Sequence, residues 1–470
     1  MQIIDLLIRD AYVVTMNKGR EILECANIAI DGDRILDIGS SEEFDAKYVA
    51  NKVIDGSGKF VFPGFVNTHT HLFQVLLKGL GRDQKLIEWL NSSVRRAIYQ
   101  IDEESVYYAA LVGCIESLRS GTTTILDYMY CHGKEGLDDP VIKAFEDIGV
   151  RGILGRGHTD TRAFPVDCAC EINETEEMFF ADLERLVAKY QGHPRISIAL
   201  APGIIWDLTE KGYLKTRELA DKYGILITMH TVETEDDDRY SLETYGMRTV
   251  PYLEKVGILG PDFIAVHCVH MSAEDIALFK KYDVKVSHNP VSNMILAAGV
   301  APVTEFMKQG ITVGLATDGA ASNDTQDMIE VLKVTALLQK THTRDVAAIS
   351  AGQVLEMATL GGARSVLMED QIGSIEAGKK ADLFIFNPMT SKSIPVADPI
   401  SMLVYSSGEA NIETTIVDGK VLLENGKIVN VNEDEVLSKL QECAFNLRKR
   451  TNLGGIQWGQ KVNVGLLKCI

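Results

Sequence analysis

The sequence lacks basic blocks, long apolar runs and a paired-cysteine framework, and each absence removes a class of function. Lysine and arginine total 47 against 66 aspartates and glutamates, a formal charge of −19, and no Lys/Arg cluster is longer than a few positions. Such a surface repels phosphate backbones, so nucleic acid is not expected as a partner. No window approaches the roughly 18 uninterrupted apolar residues that suggest a membrane-spanning helix. The amino terminus MQIIDLLIRDAYVV carries Asp5, Arg9 and Asp10 where a signal peptide needs its apolar stretch. A soluble cytoplasmic protein without a membrane partner is expected. The eight cysteines are scattered, with Cys168 and Cys170 the only close pair. Neither a zinc-type CxxC pair nor a secreted disulfide pattern is visible, and reduced thiols filling the core are expected. Any redox or metal role for cysteine would have to lie at Cys168 and Cys170.

The chain does hold enough apolar material for a large core. Over 470 residues, 46% are hydrophobic, which suits one large domain with a smaller one, or two or three ordinary ones. Residues 1–58 alternate apolar and polar positions in bursts such as LLIRDAYVVTM and ANIAIDGDRILDIG, with an Asp-Gly hairpin signal in IDGDR. This reads as a small antiparallel β unit. The same texture returns over 371–432, in GKKADLFIFNP and ETTIVDGKVLLENGKIVNV. The two segments are expected to pair as halves of one discontinuous β-sandwich, with a helix and an irregular tail over 433–470.

Between them, residues 59–370 alternate short apolar runs with helical patterns. Eight runs can be counted: FVFPGFVNTH, TTTILDY, RGILGRG, RISIALAP, ILITMHTVE, FIAVHCVH, VKVSHNP and TVGLATDG. Buried strands alternating with helices predict an α/β fold with a parallel sheet, and eight of them predict a (β/α)8 TIM barrel. An open doubly wound sheet would bring a glycine-rich first turn, which is missing.

The polar residues fall at the ends of these runs. His69 and His71 close the first, His230 the fifth, His267 and His270 the sixth, His288 the seventh and Asp318 the eighth. In an extended segment, residues i and i+2 share a side, so His69 and His71 can aim at one point. In a barrel all strand carboxyl ends open on one face, so residues distant in sequence converge there. One such histidine is commonly a structural residue; five of eight runs ending this way indicate a site.

PGFVNTHTH, TMHTVE, AVHCVH, SHNPVSN and TDGAAS together resemble the amidohydrolase superfamily, in its aminohydrolase and chlorohydrolase branch, over nearly the whole chain. The resemblance implies a barrel with a composite β-sandwich, and a single divalent metal held by His69, His71, His230 and Asp318. Three imidazoles and a carboxylate suit Zn²⁺, with Fe²⁺ and Ni²⁺ as alternatives. Binuclear relatives carry a lysine at the end of strand four; ISIALAPG has none, so a mononuclear site is expected. The resemblance further gives Glu233 the role of donating a proton to the ring nitrogen of the substrate. It gives His267 that of orienting the attacking water, and Asp318 that of accepting the water proton and passing it to departing ammonia. His288 is expected to support the site from behind. His132 and His158 follow runs two and three and are candidates for the pocket wall.

For the substrate, VSHNPVSNMILAAGVAPV, TDGAASND and the EWL around Trp89 are similar to deaminases of S-adenosylhomocysteine and methylthioadenosine. Two positions depart: Ile98 stands where those enzymes have a ribose-gripping glutamate, and Gly203 where they have a histidine. THLFQVLLKGLGRD, with Gln74 as a candidate ring contact, is similar to triazine hydrolases. The expected activity is hydrolytic deamination of an amino-substituted N-heterocycle, a purine, pterin or adenosine derivative. The alternative is removal of chloride or an amine from a triazine. Gln74, Trp89, Glu233 and His267 are the expected substrate contacts, and the resemblance is compatible with a homo-oligomer.

Overall fold

The computed structural model describes residues 1–40, 44, 46–160, 174–453, 456–457 and 460–461; Cys168 and Cys170 lie outside them. β1 (Gln2–Val14), β2 (Ile22–Asp31) and β3 (Arg34–Ser40) form an antiparallel meander. Gly32 and Asp33 form the two-residue turn of its second hairpin, with Gly32 at φ +58° and Asp31 opposite Arg34. A positive φ at the first of two loop residues is the position glycine fills in a tight hairpin. The unit is not wholly antiparallel, however. β4 (Tyr48–Asp55) and β5 (Phe60–Pro63) both run parallel to β1, on its first and last residues respectively. Turn residues announce hairpins, whereas a strand returning through a longer connection leaves no such mark.

The barrel follows in chain order. Its strands are β6 (Phe65–Thr70), β7 (Thr122–Met129), β8 (Arg151–Gly157), β9 (Ile196–Ala201), β10 (Ile227–Thr231), β11 (Phe263–His267), β12 (Lys285–His288) and β13 (Val313–Leu315). Each pairs in parallel with the next. The ends of the ring meet where Asp318 N donates to His69 O at 3.1 Å and Thr68 Oγ1 to Leu315 O at 3.1 Å. β7 and β8 are buried at every residue, which is why their sequences lack the apolar–polar alternation of a half-exposed strand. Val66, Leu126, Ile153, Ala199 and Ile264 pack with Ala363 and Val366 into one hydrophobic cluster.

The first apolar run thus divides. Phe60–Pro63, placed with the barrel by the sequence reading, hydrogen-bonds into the mixed sheet, and only Phe65–Thr70 enters the barrel. Both halves are buried on all sides, so hydrophobicity cannot mark the boundary between them.

The carboxyl-terminal strands β14 (Leu383–Phe386), β15 (Ile412–Val417), β16 (Lys420–Glu424) and β17 (Lys427–Ile428) complete the mixed sheet through antiparallel pairing of β14 with β5. Leu6, Ile8, Val13, Ile28, Leu383 and Ile385 share one cluster, so the terminal segments are halves of one unit. A buried ion pair ties this unit to the barrel. Arg151, 2% exposed at the start of β8, donates to Asp382 at 2.8 and 3.1 Å and to Asp418 at 3.1 Å. Among the described residues no helix is long and apolar enough to cross a membrane.

Candidate active site

His69 and His71 leave β6, His230 sits in β10, His267 ends β11, and Asp318 lies just beyond β13. Asp318 and His267 hold φ of +63° and +72°, a left-handed conformation that costs a side-chain-bearing residue energy unless its surroundings enforce it. For Asp318 the enforcing contact is the bond from its own N–H to His69 O. The hydrogen bond that closes the barrel therefore also sets a carboxylate beside two histidines.

The Nε2 atoms of His69 and His71 are 3.2 Å apart, and those of His71 and His230 are 3.3 Å apart. Asp318 Oδ1 lies 3.5 Å from His69 Nε2 and 3.4 Å from His71 Nε2. His71 Nδ1 donates to Tyr128 O at 2.7 Å and His230 Nδ1 to Gly203 O at 3.1 Å. With the proton of each neutral ring used at Nδ1, the two facing Nε2 atoms are bare lone pairs. Two acceptors at that separation repel unless a cation lies between them, so the donor set fits a divalent metal.

The electrostatics agree. Burial first, then the neighbouring His69, pulls His71 down to about 3, and burial, then His71 and His267, pulls His230 down to about 3. Burial pulls His69 down to about 4 against the restoring hydrogen bond with Asp318. Burial would raise the Asp318 carboxyl, but the His69 bond and the nearby His267, His69 and His71 outweigh it and hold it well below the usual range. Neutral imidazoles beside an ionised carboxylate are the protonation states metal binding needs.

Facing this cluster, His267 Nε2 lies 3.6 Å from Glu233 Oε2 and 4.0 Å from Asp318 Oδ2. Glu233 is 3% exposed; burial, and then the Asp318 charge, drive its carboxyl well above the ordinary value. A carboxyl whose proton affinity is raised in this way is suited to act as an acid. The acidic run ETEDDD continues into the helix Glu235–Tyr245, but Glu233 itself stands before that helix and is buried.

The other candidates are placed as follows. Gln74 is buried; its amide donates to Tyr130 OH at 2.7 Å and its Oε1 accepts from Ala321 N at 3.3 Å. The Tyr130 ring lies 4.8 Å from that of His71, so Gln74 supports this wall of the site through a tyrosine. Trp89 is buried at 5% exposure, close against Gly81 and Ser93. His288 is fully buried, and neither ring nitrogen has a hydrogen-bond partner among the described residues.

His132 bonds Asp138 at 3.0 Å, and His158 stacks on Phe179 at 4.0 Å beside the buried ion cluster of Arg156, Asp138, Glu174 and Asp182. His270 meets Ala298 O at 2.8 Å. These contacts give the three histidines structural partners.

Several participants were not singled out in the sequence. Tyr128 lends its carbonyl to His71, and its hydroxyl bonds Gly203 at both the N–H and the carbonyl. Asn289 and Asn293 reach His267 Nδ1. LDYMY places Tyr128 and Tyr130 two apart at the end of run two, the same spacing as His69 and His71, and that periodicity was available. Gly203 has φ +77°, and a Cβ there would lie 2.2 Å from Asp207 Oδ2, so the position where relatives were expected to carry histidine is built for glycine.

A model of the Amidohydrolase family matches residues 60–422. The chain belongs to this family. It is 37% identical to the 5'-deoxyadenosine deaminase of Methanobrevibacter smithii, over 94% of this chain and 98% of that one. It is 32% identical to a 5-methylthioadenosine/S-adenosylhomocysteine deaminase of Syntrophomonas wolfei, over 94% and 99%. Among solved structures, an adenosine deaminase from Xanthomonas campestris with bound zinc superposes with a TM-score of 0.89 at 28% identity, covering 95% of this chain and 99% of that one. An atrazine chlorohydrolase from Arthrobacter aurescens, complexed with zinc and atraton, gives 0.86 at 25% identity, over 93% and 100%. The family expected from the strand-end motifs is therefore borne out, and with it a hydrolase barrel with a composite β unit.

Proposed function

We propose that this amidohydrolase is a metal-dependent deaminase that converts an amino-substituted N-heterocycle, an adenosine derivative first among them, to its oxo form and ammonia. The observation that carries the reading is the pairing of His69, His71, His230 and Asp318 as one donor set with the buried Glu233, its carboxyl pKa raised by burial, across from it. The deaminase relatives noted above support the adenosine class.

Zinc is the ion we assign to the four-residue set, which holds three nitrogens and one carboxylate oxygen. When bound, such an ion lowers the pKa of water from about 16 to about 7, supplying a nucleophile at neutral pH. His71 and His230 are held ready for it by Tyr128 O and Gly203 O. Glu233 donates its proton to the ring nitrogen beside the attacked carbon, so that the ring accepts the electron pair as the tetrahedral centre forms. His267 orients the water. Asp318 takes the water proton and delivers it to the amino group, which leaves as ammonia, while the hydrogen left on the added oxygen returns to Glu233 as the oxo group forms.

A second reading is favoured by the triazine-hydrolase superposition: the same residues displacing chloride or an alkylamine from a triazine. An ammonia-release screen of adenosines, purines, pterins, cytosines and aminotriazines, run beside chloride detection on chlorotriazines, separates the two. Ammonia from an adenosine or purine is expected. Absence of ammonia from every aminoheterocycle would overturn the deaminase reading.

A further inference from the structure

We infer that Asn293 is a positioning residue that holds His267 in the tautomer protonated at Nδ1, leaving a bare Nε2 to face Glu233 and Asp318. The inference rests on the deaminase reading for its consequence, though not for its geometry. His267 Nδ1 lies 2.8 Å from Asn293 Oδ1 and 3.3 Å from Asn289 Nδ2. One ring nitrogen cannot serve both. Carrying a hydrogen, it donates to the Asn293 oxygen; without one, it accepts from the Asn289 amide. The two cases put opposite chemistry at Nε2, and the shorter contact selects the first.

The surrounding backbone makes that selection rigid. Asn289 precedes the short helix Pro290–Ile295, whose turn brings Asn293 N onto Asn289 O at 3.1 Å, and Ala298 N closes on Asn293 O at 2.8 Å. Asn293 is 1% exposed. On the other side, the His267 backbone is held at φ +72°, with Cys268 N donating to Thr231 O at 3.1 Å. Ring and amide are thus presented to each other by separate, anchored segments, which is how an orienting partner acts.

The consequence lies at Nε2. Bare, it is an acceptor aimed into the space between Glu233 Oε2 and Asp318 Oδ2, at 3.6 and 4.0 Å. A water there can give its hydrogen to His267 and present its lone pair elsewhere. Protonated at Nε2 instead, His267 would donate to one of these carboxyl groups and offer the water no acceptor. An uncharged amide oxygen also orients the ring without binding a proton itself.

The test uses metal-replete full-length protein labelled with ¹⁵N-histidine, in which long-range ¹⁵N–¹H spectra report the protonated nitrogen of each ring. His267→Gln identifies the His267 signals. The expected wild-type pattern is protonated Nδ1 and unprotonated Nε2. Asn293→Leu should move His267 away from that pattern and lower kcat by about 10- to 100-fold. Asn293→Asp, which keeps the acceptor, should restore the tautomer, and Asn289→Ala should leave it unchanged. A wild-type His267 protonated at Nε2, or a spectrum unmoved by Asn293→Leu, would overturn the inference. If Asn293→Leu does not fold, Asn293→Ser, which withdraws the amide oxygen with a smaller change, takes its place in the comparison. Failure of the deaminase reading would show as absent ammonia with the tautomer intact.

Discussion

His71 and His230 hold their Nε2 atoms 3.3 Å apart with both ring hydrogens spent on backbone carbonyls. This contact is unfavourable in itself and becomes favourable only when a cation joins the two lone pairs. The wish to bind metal is therefore built into the orientation of the rings by Tyr128 and Gly203.

Replacing either histidine should then abolish stoichiometric binding. We expect about one divalent ion per chain in the intact protein and far less in His71→Ala or His230→Ala, as read by elemental analysis. Chelation of the intact protein should lower its melting temperature, because an ion that binds only the folded state stabilises it by mass action. Full metal content in both variants would show that the ion is held elsewhere.

Glu233 is buried and beside the Asp318 charge, and both effects raise its proton affinity. Glu233→Gln preserves shape but removes the transferable proton. Turnover should fall by about 10²- to 10⁴-fold, the usual contribution of a positioned acid–base group, with metal content unchanged. Retained turnover would remove Glu233 from the reaction.

Arg151 links β8 to the mixed sheet through Asp382 and Asp418 while 2% exposed. Arg151→Leu leaves two buried carboxylates short of their partner, although Lys380 remains 3.0 Å from Asp418. Breaking such a pair costs about 3–5 kcal/mol, and urea unfolding should register it. A cost near zero would mean that the barrel and the sheet do not depend on this contact.

His288 offers a pH signature. Burial, then the nearby His267, lowers its pKa from 6.5 to about 3. Above 6.5 neither folded nor unfolded chain protonates it, and its effect on stability is nil. As pH falls below 6.5 the unfolded chain gains a proton that the folded chain refuses, so stability is lost until about 3. Between pH 6.5 and 5 this amounts to roughly 2 kcal/mol. His288→Phe should lose correspondingly less over the same interval, measured as the difference in urea unfolding between the two pH values. Parallel pH dependences for both proteins would show that His288 is not the group responsible.

Much of the barrel was legible in the sequence. RGILGRG became β8 residue for residue, and the other seven runs each yielded a barrel strand, because strands buried on both sides must be apolar and short. The strand ends were legible too, since His69, His71, His230, His267 and Asp318 interrupt apolar runs where burial alone gives no reason for them. The reading failed where that contrast vanished. FVFPGFVNTH is buried throughout, and nothing in its hydrophobicity says that its first four residues belong to another sheet.

The sequence by itself determined which residue types stand at the strand ends, and hence that a nitrogen-rich metal site with a nearby acid could form. Which ring nitrogen of His71, His230 and His267 points inward was settled by tertiary contacts alone. That choice depends on carbonyls and amides from Tyr128, Gly203 and Asn293, which lie on other strands and loops. Backbone carbonyls are the same at every position, so a sequence cannot announce which of them will receive a histidine's hydrogen; only the fold brings the two together.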